Sequence, residues 1–186
     1  MKFTMNELVD FRPGNFSLRF RKHQISCLPA VLQKCHLYPQ RLVSESPLII
    51  RPFQTEDEVA LITLWQLCDL TVSWNNPQKD IARKMKIQPE LFLVGLLENR
   101  LIASVMGGYE GHRGWINYLA VHPDFRGQGF AQQIMDSVEF ALRKMGCPKI
   151  NLQIRIGNDN VISFYQKLGF SGDRAVSMGK RLEEDH

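Results

Sequence analysis

Arg126-Gly127-Gln128-Gly129-Phe130-Ala131 sets a guanidinium, two glycines and a small residue where an apolar run, Trp115 to Val121, gives way to amphipathic sequence. That order of residue types suits a bound phosphate. Gly127 and Gly129 lack Cβ, so the backbone can take turn conformations and approach a ligand closely. The first N–H groups of a helix starting there have no acceptor within it and lie at the positive end of its dipole. A short glycine motif also reads as a plain surface turn with a solubilising arginine. Context favours the phosphate reading, because His122-Pro123-Asp124 ends the preceding strand: Pro123 has no N–H and disfavours helix at the residue before it.

Two familiar phosphate motifs fail on the letters. A dinucleotide-binding turn needs a third glycine where Gln132 stands, and an acid ending the next strand, where Ile150 to Ile156 runs through Arg155 into Gly157-Asn158. A P-loop needs Gly-Lys-Ser/Thr after the turn, and none follows. What does follow is Asn158-Asp159-Asn160-Val161-Ile162-Ser163-Phe164-Tyr165-Gln166-Lys167-Leu168-Gly169-Phe170, with Asn158 seven residues before Tyr165.

Leu119-Ala120-Val121-His122-Pro123, then Arg126-x-x-Gly129-x-Ala131, then the Asn158/Tyr165 segment closely resemble the GNAT superfamily of acetyl-CoA-dependent N-acetyltransferases, in that family's order and spacing. From about Leu48 onward the chain looks like a small bacterial member of it, through Trp74-Asn75-Asn76-Pro77, Val105-Met106-Gly107-Gly108-Tyr109 and Gly111-His112-Arg113-Gly114. The resemblance implies an α/β (α+β) fold with a mixed, mostly antiparallel sheet of six to seven strands, about four helices and a splayed central strand pair. It also implies acetyl-CoA as co-substrate and an amine acceptor, either a protein N-terminus, a lysine or a small amine. Transfer would be by direct attack in a ternary complex.

Amide formation from a thioester needs a neutral amine, stabilisation of the tetrahedral oxyanion and a proton for the departing thiolate; an amine with a lysine-like pKa is mostly protonated at neutral pH. By resemblance, main-chain groups of Leu119 and Val121 hold the pantetheine arm, with an N–H at or near Leu119 polarising the acetyl oxygen. Arg126, Gly127, Gln128, Gly129 and Ala131 form the pyrophosphate loop, and Asn158 makes a polar contact to the pantetheine or adenosine side. Tyr165 matches the tyrosine that protonates the CoA sulfur; its other reading is a packed aromatic beside Phe164 and Phe170. For the general base, Glu110, His112 and Glu90 are the ionisable candidates, and Glu110 is favoured because it follows the strand bordering the splay. Trp74 reads equally as a wall for the acceptor or as an apolar plug. No metal is expected, since His112 and His122 are separated by a glycine turn and a strand and no Cys/His quartet exists.

The elements that must hold these residues are legible in the pattern. Leu48 to Phe53 reads as an edge strand with Pro52 near its end. Thr55 with Glu58 reads as a capping box before a helix whose apolar side is Val59, Ile62, Leu64, Trp65 and Leu67. Pro77 opens a second helix through Ile81 and Met85. Leu91–Leu97 and Leu101–Tyr109 pair across Asn99-Arg100, and Trp115–Val121 continues the meander. Gly129–Lys144 is a helix with Ile134, Val138 and Leu142 on one face; Ile150–Ile156 alternates as a strand; Asn158–Leu168 is a helix; Phe170 and Val176–Gly179 supply closing strands.

Length and charge bound the rest. With 186 residues at 44% hydrophobic content, there is room for one proper core, and no run approaches the apolar length of a membrane span. Residues 1–47 hold seven basic side chains against three acidic ones; taking these from the totals of 23 and 19 leaves 16 of each sign in residues 48–186. The +4 excess therefore sits in the first segment, which reads as a lineage-specific arm, a targeting peptide or a start placed too far upstream, ahead of a catalytic domain spanning 48–186. A neutral domain argues against a nucleic-acid acceptor such as charged tRNA. Four cysteines without a CxxC pair suggest a reduced, cytoplasmic setting, with the protein a monomer or homodimer. A non-catalytic CoA-binding regulatory module is the competing function class.

Overall fold

The structure, a computed structural model, describes residues 47–183. The basic segment up to residue 46 lies outside the described residues. Five strands form one sheet in the order β1-β2-β3-β4-β5: β1 (Ile49–Pro52), β2 (Phe92–Leu97), β3 (Arg100–Tyr109), β4 (Gly114–Val121) and β5 (Ile150–Leu152). The first four pair antiparallel, and β5 joins β4 in parallel after a crossover through a helix. The helices are α1 (Glu58–Leu67), α2 (Pro77–Met85), α3 (Phe130–Lys144) and α4 (Asp159–Lys167). This is the mixed, mostly antiparallel α/β fold with four helices that the sequence implies.

Near-continuous apolar runs in β2 and β3 follow from burial on both faces. Leu93, Val105 and Ile116 pack with Ile134, Val138 and Leu142 of α3 on one side, while Phe92, Val94 and Met106 pack with Leu61, Leu64 and Trp65 of α1 on the other. The expected face of α3 is fully buried. Gly107 permits this close seating, because a Cβ there would lie 2.6 Å from Val138 Cγ2. Ile81 is the buried residue of α2, whose start is capped by Asn76 Oδ1 accepting from the Lys79 N–H at 3.0 Å.

Several local expectations are corrected. The first helical segment starts one residue early: Asp57 Oδ2, not Glu58, accepts the N–H of Gln54 at 2.9 Å, while both Asp57 oxygens take Arg51 at 2.7 and 2.8 Å. That fork holds the Asp57 carboxyl below, and the Arg51 guanidinium above, their ordinary values. The buried stripe of α1 is Leu61, Leu64 and Trp65, with Val59 and Leu67 exposed, because one helix face at i, i+3, i+4 is all the sheet can cover. The β2–β3 turn is Glu98-Asn99, both at positive φ (50° and 63°), which brings Arg100 into register opposite Leu97.

The strand count is the larger correction, five among the described residues rather than six or seven. β5 stops at Leu152, where its ladder with β4 ends, so Ile154 and Ile156 leave the sheet. Phe170 and Val176–Gly179 form no strand; Val176 and Met178 are both exposed, and without a buried face the alternation has nothing to stabilise it. Side chains tether this stretch instead. Lys149 pairs with Asp173 at 2.7 Å, Gln153 contacts Ser177, Arg181 donates to the Trp74 carbonyl at 2.9 Å, and Arg83 pairs with Glu183 at 3.1 Å.

Candidate active site

β4 loses regular pairing on both flanks over the same few residues. Toward β5 its ladder ends at Ile116–Leu152, leaving Asn117 to Val121 bordering an open splay. Toward β3 the register slips between the Ser104–Ala120 and Met106–Asn117 pairs, so Tyr118 and Leu119 together face Val105. This is a β-bulge, which leaves one residue without a ladder partner and re-aims the strand. Tyr118 sits at φ 49°, a left-handed conformation that costs a bulky residue on the order of 1–3 kcal/mol.

A chain of contacts, buried at Trp65 and Ser104 and half-buried at Tyr118 and Asp80, holds that conformation. The Tyr118 ring stacks on Trp65 with centroids 4.0 Å apart. Trp65 Nε1 donates to Ser104 Oγ at 3.0 Å, and that hydroxyl donates to the Tyr118 carbonyl at 3.0 Å. The Tyr118 hydroxyl reaches α2 and donates to Asp80 Oδ2 at 2.6 Å. Sequence reading flagged none of Asp80, Ser104 and Tyr118; the available signal was Ser104, a hydroxyl in the middle of the apolar run of β3.

Beyond the bulge comes the glycine turn. Gly127 and Gly129 have φ of 74° and 84°, the left-handed region that favours glycine, and nothing lies within 4 Å of where a Gly129 Cβ would be. The Gln133 N–H bonds to the Gly129 carbonyl at 3.1 Å, so the N–H groups ahead of it project from the start of α3 with no helical acceptor. Arg126 folds back along β4, its Nε donating to the Val121 carbonyl at 3.1 Å and its guanidinium meeting Cys68 Sγ at 3.4 Å. Gln128 Nε2 donates to the Asp124 carbonyl at 3.3 Å, and Ala131 packs on the core. The open cradle and the guanidinium beside it fit a pyrophosphate.

Two clefts meet at the bulge. The larger, about 1350 Å³, lies between β4, the β5 exit and residues 170–177. The smaller, about 600 Å³, is bounded by α2, the end of β3 and β4. Asn75, Trp115, Asn117 and Tyr118 line both. Tyr165 lines the larger one, edge-on to Phe164 and Phe170 at 5.1 and 5.4 Å. Burial pushes its phenol up to about 12, so it remains a proton donor across the neutral range. Asn151, on β5, also lines this cleft and has a buried Oδ1 without a hydrogen-bond partner.

The other sequence-derived candidates are placed less centrally. Glu110 lines the smaller cleft, but its two oxygens accept the N–H groups of His112 and Arg113, both at 2.7 Å, so the carboxylate also knits the turn. His112 and Glu90 are exposed and line neither cleft. Asn158 is exposed at the start of α4; its carbonyl accepts from Val161 and Ile162 at 3.1 Å while its side chain makes no capping bond. Trp74 lines the larger cleft, largely exposed.

A sheet split beside a bulge, with an open glycine turn at a helix start, leaves exposed main-chain N–H groups that suit an anionic ligand. The chain belongs to the acetyltransferase (GNAT) family, whose model matches residues 59–170. It is 49% identical over 136 residues to an acetyltransferase of Pectobacterium atrosepticum, covering 73% of this chain and 96% of that one. An uncharacterized N-acetyltransferase of Yersinia pestis matches at 48% over the same shares. Among solved structures, the ribosomal-protein-S18-alanine N-acetyltransferase of Escherichia coli has the same fold, with a TM-score of 0.57 at 21% identity over 67% of this chain and 78% of that one. The NatC complex bound to Gag peptide and CoA gives a TM-score of 0.56 at 20% identity, covering 65% and 82%. The protein is thus an N-acetyltransferase, an acyl-transferring enzyme.

Proposed function

We propose that this protein transfers an acetyl group from acetyl-CoA to a primary amine by direct attack in a ternary complex. One observation carries the reading: two clefts share Trp115, Asn117 and Tyr118 of β4 as a wall, so a donor in the larger and an acceptor in the smaller meet at one strand. In residue detail the chain resembles the bacterial acetyltransferase YpeA.

The roles follow from position. The N–H groups of Gly127 to Ala131, with Arg126 beside them, hold the pyrophosphate. The Leu119 N–H meets the acetyl oxygen, and Val121, whose carbonyl Arg126 already engages, contributes its N–H. Tyr165 gives its proton to the departing sulfur. Asn158, with a side chain free of capping duty, contacts the pantetheine or adenosine side. Glu110 is the base, receiving the ammonium proton through water with the lone pairs its turn leaves unused.

The acceptor is a protein N-terminus, a lysine or a small amine rather than a nucleic acid, as the balanced charge of residues 48–186 suggests. The enzyme works in the cytoplasm as a monomer or homodimer, its Cys68 and Cys147 free. No helix among the described residues is long and apolar enough to cross a membrane. Residues 1–47 are an extension outside the catalytic domain, in keeping with relatives matched over 96% of their length by 73% of this chain. Initial rates with both substrates varied test the mechanism: intersecting reciprocal lines are expected, and parallel lines, the mark of a covalent acetyl-enzyme, overturn it.

A further inference from the structure

Tyr118 is the one residue of β4 with positive φ, and it is neither glycine nor asparagine. Its side chain packs with the α1–α2 layer while that of Leu119 packs with the α3–α4 layer, so the bulge sits between the acceptor-side helices and the donor-side helices. Backbone strain at a bulky residue persists only where surrounding contacts over-determine it. Here three contacts do so: the Trp65 stack, the Ser104 hydroxyl on the Tyr118 carbonyl, joined to the first through the Trp65 Nε1–Ser104 hydrogen bond, and Asp80 on the Tyr118 hydroxyl. The first two fix the ring plane and the carbonyl, and with them the peptide plane that carries the Leu119 N–H. The third is a 2.6 Å hydrogen bond to a carboxylate on α2, a helix that lines the acceptor cleft.

We propose that Tyr118 is a positioning residue, which through Asp80 and Ser104 fixes the direction of the Leu119 N–H and so ties the polarisation of the acetyl carbonyl to the seating of α2. The inference rests on the reading of Leu119 as the donor to that oxygen. Oxyanion donors act only when preorganised, and small misplacements of such groups are costly in rate. Loss of the tether therefore appears in kcat rather than in cofactor affinity, because the pyrophosphate turn is held by other contacts.

Tyr118→Phe keeps the stack and removes the hydroxyl. It is expected to lower kcat about tenfold, with the KM for acetyl-CoA and the affinity for CoA unchanged. Asp80→Ala is expected to behave alike, Asp80→Asn to recover most of the loss by keeping an oxygen acceptor, and Tyr118→Phe/Asp80→Ala to be no worse than either single change. The infrared stretch of acetyl-CoA isotopically labelled at the carbonyl carbon supplies a readout independent of turnover: lowered on binding wild type, it should return toward the free value in Tyr118→Phe. Wild-type kcat in Tyr118→Phe, a loss confined to CoA affinity, or an unmoved stretch overturns the proposal. Should Tyr118→Phe not fold, Ser104→Ala is read by the same criteria. A wild type with a lowered stretch but no acceptor-dependent turnover contradicts the proposed reaction and leaves the positioning role standing, which separates the two failures.

Discussion

Tyr165 is a buried ring at the wall of the larger cleft, where the proposed reaction makes it the acid. Desolvation, not a charged neighbour, pushes its phenol up to about 12. The proposed acid role, rather than this shift, predicts that Tyr165→Phe lowers kcat about a hundredfold with acetyl-CoA affinity nearly unchanged, by steady-state kinetics and titration. The same burial links to stability. The folded value lies above the ordinary 10.0, so the neutral phenol stabilises the fold fully below that value, and this contribution is lost as pH rises from about 10 to 12. Denaturation across that window should show a fall in wild type that Tyr165→Phe lacks. Glu110, by contrast, is favoured in the sequence as the base for its place after the strand bordering the splay, and it is partly committed to its own turn. Short-range backbone capping of this sort leaves no trace in residue spacing.

At the level of elements, the glycine turn works through conformation. Gly129→Ala meets no steric obstacle, so only the φ of 84° resists it; a stability loss of about 1 kcal/mol is expected by denaturation, with weakened acetyl-CoA binding by titration as the N–H groups shift. An unchanged affinity would argue that the turn is structural alone. This element was legible because a strand stop, two glycines and an apolar helix face follow one another along the chain. The bulge was not legible. It is set by Trp65 and Ser104, 39 positions apart, and by Asp80, 38 positions from Tyr118, partners that only the folded sheet brings together. The closing strands failed for a related reason: alternation at Val176–Gly179 predicts a strand only where a neighbour offers a face, and β5 ends at Leu152.

For the whole molecule, the two clefts lie on either side of β4, and the proposed reaction assigns the donor to the larger and the acceptor to the smaller. The proposed donor side was readable, since the family's motifs lie in the turn and in α4. The acceptor side was not, because the smaller cleft is assembled from α2, β3 and β4 with both signs of charge, Asp80 and Glu110 against Arg83 and Lys84. Burial lowers the pKa of Lys84, with Glu90 partly offsetting it, a balance no composition count contains. The most direct test of the central claim is free-thiol release from acetyl-CoA by the full-length protein, measured with and without a panel of peptide and small amines, together with the mass of each amine. The account predicts thiol release that depends on at least one amine and matches its acetylation mole for mole. Tight acetyl-CoA binding with thiol release that no amine accelerates would contradict it.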